Sequence, residues 1–127
     1  MKKFERDGKI NFVDENNIVI GFDNEAQCCE NFGYFYSRSI PLSVHPDCLD
    51  KDEEHSININ EQSYRFNPNF CIIKDMPDKG GIVTFKLINI YNEKDIVYLT
   101  LYNHQNGYYS HGFHMDVGGK TIRIGSL

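Results

Sequence analysis

Nine side chains in this sequence could serve as soft metal ligands or nucleophiles: Cys28, Cys29, Cys48, Cys71, His45, His55, His104, His111 and His114. Structural zinc takes four such ligands, commonly in pairs spaced C-x₂₋₄-C or H-x₃₋₅-H. No pair here has that spacing. Cys28 and Cys29 are adjacent, so on a helix they diverge by about 100° and on a strand they face opposite sides. His111 and His114 differ by an odd number on an expected strand and face opposite ways unless Gly112 makes a bulge. Cys28, Cys29, His111 and His114 are nonetheless the candidate metal ligands. Thiolate catalysis is the second possibility. A helix N-terminus and a neighbouring histidine lower a thiol pKa, which makes Cys28, Cys29 and His111 the candidate catalytic residues. The plainer reading treats the cysteines as small buried hydrophobes.

Two other signals fail. Gly119-Lys120-Thr121 imitates the end of a phosphate-binding loop, but the position five before Gly119 is His114, and too few residues follow for the required helix. The carboxylates of Asp47–Glu54 lack the D-x-[DN]-x-[DN]-G spacing of a calcium loop. No cofactor is expected.

Binding surfaces come next. Tyr98 and Tyr102 share the strand face opposite Val97, Leu99 and Leu101. Tyr108 and Tyr109 follow on the next expected strand. Tyrosines bury area at low entropic cost, so these four form a candidate protein-binding surface; cross-strand aromatic packing is the plainer account. Asp50, Asp52, Glu53 and Glu54 are the second candidate, an acidic loop able to steer a basic partner.

The elements that must position these residues are strands. Aromatic residues make up 13% of the chain and alanine occurs once, a composition suited to pleated surfaces. Lys9–Val13 and Ile18–Phe22 alternate around a polar Asp14–Asn17 turn and read as a hairpin. Asp23 or Asn24, with Gln27 in a capping-box position, predicts one short helix over Glu25–Asn31, stopped by Gly33. Asn67-Pro68-Asn69 reads as a turn, as does Asn92–Asp95. Asn106-Gly107 favours a tight hairpin, so 82–91, 96–103, 108–117 and 121–124 read as a continuous antiparallel meander, closed by a Gly118-Gly119 turn. The expected fold is mainly β (β-rich α+β): a curved antiparallel sheet, sandwich or small barrel of about eight or nine strands, with one short helix. The 127 residues suit a single domain.

Asn11-Phe12-Val13-Asp14 through Gln27-Cys28-Cys29-Glu30, and Asn103 through Phe113 (NHQNGYYSHGF), carry a resemblance. They are similar to segments of a group of small uncharacterised bacterial and phage proteins with a paired-cysteine-Glu motif and an N-G-Y-Y-x-H-G-F motif. The resemblance implies that Cys28, Cys29, Glu30, Tyr108, His111 and Phe113 form one joint feature, and it suggests a phage or mobile-element origin. It implies no particular activity.

The formal net charge of −5 disfavours nucleic acid as a partner, because phosphate contact wants a basic face. No apolar run reaches a membrane span and no apolar leader follows the charged start. The expected setting is the cytoplasm, with reduced thiols. The leading expectation is a non-enzymatic protein-binding domain of the inhibitor, immunity or anti-defence type. The alternatives are a metal-binding or Cys/His-dependent enzyme centred on Cys28, Cys29, His104, His111 and His114, and a structural phage component.

Overall fold

A computed structural model describes residues 1–25, 31–41, 56–76, 80–104 and 110–127. The strands are β1 (Lys2–Arg6), β2 (Lys9–Val13), β3 (Ile18–Asp23), β4 (Asn31–Ser37), β5 (Tyr64–Met76), β6 (Gly80–Asn89), β7 (Asn92–His104), β8 (Gly112–Val117) and β9 (Lys120–Ser126). They form two antiparallel sheets, ordered β1-β2-β3-β8-β9 and β4-β7-β6-β5. Neither sheet closes into a barrel.

Alternation builds the core. Ile10 and Phe12 of β2, Ile18, Ile20 and Phe22 of β3, and Phe113 and Met115 of β8 are buried on one sheet. Val83, Phe85 and Leu87 of β6 pair with Leu101, Leu99 and Val97 of β7 on the other. The two sets join in one cluster, and Phe85 meets Phe113 edge-on across the layers, with ring centroids 6.4 Å apart. Burial of these side chains is the main favourable term in folding.

One carboxylate ties the layers together. Asp14, 6% exposed, accepts the backbone N–H groups of Asn16 and Ile18 at Oδ1 and of Phe66 at Oδ2. The β2–β3 turn is thereby anchored to β5 of the opposite sheet.

Three expectations need correction. A fourth, the short helix over Glu25–Asn31, falls mostly on residues 26–30, which lie outside the described residues; of its flanks, Glu25 lies outside regular structure, Asn31 opens β4 and Gly33 sits inside that strand. The one helical turn among the described residues is the 3-10 turn Glu61–Ser63. Asn67-Pro68-Asn69 does not turn the chain; it is a bulge inside β5, where the register with β6 jumps between Asn67 and Cys71, a position that tolerates a proline lacking its N–H. Asn92–Asp95 is strand, and the β6–β7 turn falls at Ile90 and Tyr91 instead. The continuous meander also breaks: β7 pairs β4 and β6 in one sheet, whereas β8 pairs β3 and β9 in the other. The segment with Asn106-Gly107 therefore connects two layers rather than two neighbours. Gly118-Gly119 does turn β8 into β9, with φ of 58° and 81°.

An extra strand also emerges. Asp7 and Gly8, at φ 53° and 73°, make the tight turn that folds β1 back on β2. Both central residues need φ > 0 in such a turn, which an Asp-Gly pair supplies.

Candidate functional site

β1 and β4 each end a sheet, and the two edges lie side by side. Lys3 pairs with Phe12 and Glu5 with Ile10, so both side chains lean to the core side of β1. At the sheet margin they overhang the gap toward β4. Inward-pointing charges on an edge strand discourage edge-to-edge association, and that alone would justify them. Across the gap, Tyr34 and Tyr36 of β4 pair with Leu101 and Leu99 and face the core. The Tyr34 ring meets Phe12 edge-on at 5.2 Å between centroids and Tyr36 at 5.8 Å.

Lys3 and Tyr34 join the edges. The Lys3 ammonium donates to Tyr34 Oη and, at 3.2 Å, to Glu61 Oε1. The hydrogen bond to Tyr34, with Glu61 beside it, holds the Lys3 pKa above its ordinary value against partial burial.

Two hollows open on either side of this contact. The larger, about 590 Å³, is lined by Lys3, Glu5, Asn24, Gly33, Tyr34 and Tyr102 among others. Asn24 Nδ2 donates to Glu5 Oε1 at 3.0 Å across its rim. Tyr102 enters it by crossing β4 at Gly33, where a Cβ would come within 3.0 Å of the Tyr102 hydroxyl. The smaller, about 260 Å³, lies between β4 and the segment from Ser56 to Glu61 and is lined by Lys3, Tyr34, Tyr36 and Glu61 among others. Ile57 N–H donates to Tyr36 O at 2.9 Å and holds that segment against β4. Tyr36 is 6% exposed and its hydroxyl has no hydrogen bond of good geometry. Burial, with the Glu61 carboxylate nearby, pushes its pKa far up, so the hydroxyl keeps its proton as a donor.

The expected site residues scatter. Tyr98, Thr100 and Tyr102 do share the face opposite Val97, Leu99 and Leu101. Tyr98 packs near Phe70 at 5.7 Å and Tyr102 near Phe35 at 6.0 Å between centroids. Tyr102 reaches the cleft and Tyr98 is not among its lining residues. Tyr108, Tyr109, Asp50, Asp52, Glu53, Glu54, Cys28, Cys29, Cys48, His45 and His55 lie outside the described residues. Cys71 is half-buried, and burial pushes its thiol up, the reverse of an activated nucleophile.

The histidines separate. His114 faces the outer side of its sheet, with Nε2 3.6 Å from Asp116 Oδ2. His111 is 1% exposed. Its Nδ1 lies 2.8 Å from Asp23 O and its ring stacks on Phe32 at 4.1 Å. Gly112 makes no bulge between them, since the pairings of Gly112 with Ser126 and Phe113 with Gly125 are in step. Asp23 of β3 and Phe32 of β4 thus both touch His111. His104 closes the β4–β7 ladder opposite Asn31. No group of three or more His, Cys, Asp or Glu side chains suited to a metal ion occurs among the described residues.

Lys3, Glu5, Tyr34 and Glu61 escaped the sequence reading. The Asp7-Gly8 turn was the signal for β1 and for the inward lean of Lys3 and Glu5. Nothing local marks Glu61, which reaches the site by a contact 58 residues long in sequence.

No family model, curated protein or solved structure matches the chain. Among the described residues no helix is long and apolar enough to cross a membrane.

Proposed function

We propose that this chain is a non-enzymatic protein-binding domain, of the inhibitor, immunity or anti-defence type, that seats part of its partner in the cleft between β1 and β4. The observation that carries this reading is Tyr102 crossing Gly33 into an open hollow already shared by Tyr34, Lys3 and Glu5. Tyrosines with both signs of charge at the rim are the composition of a protein interface centre. The carboxylates with the strongest local partners, Asp14 and Asp95, are engaged by hydrogen bonds of the fold itself, which favours binding over catalysis. The bacterial cytoplasm is the proposed setting, and a phage or mobile element the proposed source, on the resemblance noted above.

The test is affinity capture with wild-type protein and with Gly33→Val, followed by rebuilding the captured pair from purified components. A Cβ at position 33 would meet the Tyr102 hydroxyl at 3.0 Å, so valine there crowds the Tyr102 side chain and shifts it from its present place. The reading expects the pair to form with wild type and to weaken at least tenfold with Gly33→Val. Equal affinity for the two would overturn it.

A second reading keeps the cysteines and His111 as a metal or catalytic centre, on the resemblance noted above, which joins Cys28, Cys29 and His111 in one feature. Metal analysis of natively purified protein decides it. Stoichiometric zinc or iron, lost in a Cys28→Ser variant, would support that reading, and no metal together with no thiol-dependent activity would end it.

A further inference from the structure

The larger hollow bends round a strand edge. Register puts Lys3 and Glu5 on the core side of β1, opposite Phe12 and Ile10, and Phe4 on its outer side, opposite Asn11. All three line the same hollow. Space that touches both faces of β1 must pass its free edge, because β2 fills the other side. Among the described residues, no backbone group of Lys2–Arg6 bonds outside the ladder with β2. The other three margins are obstructed. Ile57 N–H and a bridge from Ser56 meet β4. The Pro68 bulge interrupts β5, where a missing N–H stops strand pairing. β9 carries a register shift, and Arg123 ties it to Pro68 O at 3.4 Å. The pairs of β1 with β2 run in step, so β1 is the regular bare edge among the described residues, a template for another strand. The inward charges do not forbid it. Lys3 is held by Tyr34 and Glu61, and Glu5 by Asn24, so an added strand leaves neither charge without a partner.

We infer that an extended segment of the partner protein adds to β1 as a further strand of that sheet, and that its outward side chains read acidic, apolar, acidic at alternate positions. Strand addition takes its affinity from main-chain hydrogen bonds and its selectivity from alternate side chains. On the outer face of β1 those are Lys2, Phe4 and Arg6. Phe4 is 44% exposed. Lys2 and Arg6 are exposed and make no ion pair among the described residues. Opposite charges directly across one face of a sheet stabilise the pairing, and like charges oppose it. Acid–x–apolar–x–acid is the same pattern in both directions, so it fits a parallel or an antiparallel strand. A second copy of this chain is a poorer occupant. Antiparallel self-pairing centred on Phe4 sets Lys2 against Arg6 on both sides, and the Lys3–Glu5 contacts it adds join charges already satisfied within each chain. The net charge of −5 acts at long range on the partner as a whole; β1 selects the segment that docks. This inference rests on the protein-binding reading and names how the partner enters the cleft.

The test uses the whole chain and a synthetic peptide. The probe begins and ends on threonine and alternates threonine with glutamate, valine and glutamate in that order. A second peptide carries lysine in place of glutamate. A third replaces the valine and one neighbouring threonine by proline, which removes donors on both edges. Isotope-labelled protein is titrated with each, and the amides of Lys2–Arg6 are followed by NMR and by hydrogen exchange. The probe should protect amides of β1 and bind about tenfold more tightly than the lysine peptide, the scale of two cross-strand charge pairs. The proline peptide should fail to bind. Lys2→Glu combined with Arg6→Glu should reverse the preference between the charged peptides, and Phe4→Thr should weaken the probe while keeping that preference. No protection of β1 by the probe, equal affinity for the glutamate and lysine peptides, or full binding of the proline peptide would overturn the inference. Protection of β1 in concentrated protein without peptide would overturn it too, by giving the edge to a second copy. A partner complex weakened by Gly33→Val but indifferent to Lys2→Glu with Arg6→Glu would refute strand addition and leave the binding cleft standing.

Discussion

The two oxygens of the Asp14 carboxylate accept backbone N–H groups from different sheets, Ile18 on one side and Phe66 on the other. Removing that carboxylate strands three buried or part-buried donors. Each orphaned donor costs about 1–3 kcal/mol, so Asp14→Ala is expected to destabilise the fold by about 3 kcal/mol or more, read as a lower urea midpoint at unchanged slope. Asp95 does the same work at the rim. It accepts from Tyr64 Oη at 2.7 Å and Asn89 Nδ2 at 2.9 Å, and pairs with Arg38. The hydrogen bonds from Tyr64, Asn89 and Arg38 hold its pKa down at about 2. The unfolded chain binds that proton near pH ~3.9, so the native state loses this contribution as pH falls from about 4 to 2. Asp95→Asn should therefore lose stability at neutral pH and show a shallower acid limb in that window. Its side chain is 21% exposed, and solvent screening keeps the effect to about 1 kcal/mol.

Strands were legible where alternation was strong. β2, β3 and the inner rows of β6 and β7 follow from Ile10, Phe12, Ile18, Ile20 and the Val83–Leu87 and Val97–Leu101 patterns. β1 was hidden because an edge strand buries little: Lys2–Arg6 is exposed throughout, and only the Asp7-Gly8 turn announced it. The proline at position 68 misled for a physical reason. A bulge relieves the need for its missing N–H, so β5 continues where a turn was expected. The candidate cleft was half legible. Tyr102 was in view because it alternates with Leu101. Lys3 and Glu5 were hidden with β1, and Glu61 comes from a 3-10 turn placed by long-range contacts. At this scale Gly33 makes a sharp demand. Its neighbours Phe32 and Tyr34 pack against the core, while its own missing side chain makes room for Tyr102. Gly33→Val should shift the Tyr102 ring and reduce partner binding while costing under about 1.5 kcal/mol of stability, because valine suits a strand. Thermal melts beside the binding assay check both halves.

Across the whole molecule, one core serves two open sheets, and β7 and β8 lie on opposite sides of it. Sequence-neighbour logic joined them into one meander because sequential strands commonly pair. The core decided otherwise: Met115 and Phe113 complete the sheet begun by Ile20 and Phe22. That arrangement leaves β1 and β4 as adjacent margins and creates the cleft. With a net charge of −5, association with a basic partner should slow as salt rises, since steering is screened beyond roughly 10 Å at 0.1 M. Stopped-flow rates at two ionic strengths test that. The most direct check of the cleft is site-specific photo-crosslinking in the complex. A benzophenone amino acid is placed at Tyr102 in the cleft and, separately, at Tyr91, an 82%-exposed residue in the β6–β7 turn. The account predicts covalent capture of the partner from position 102 and none from position 91. Capture from position 91 with none from position 102 would contradict it.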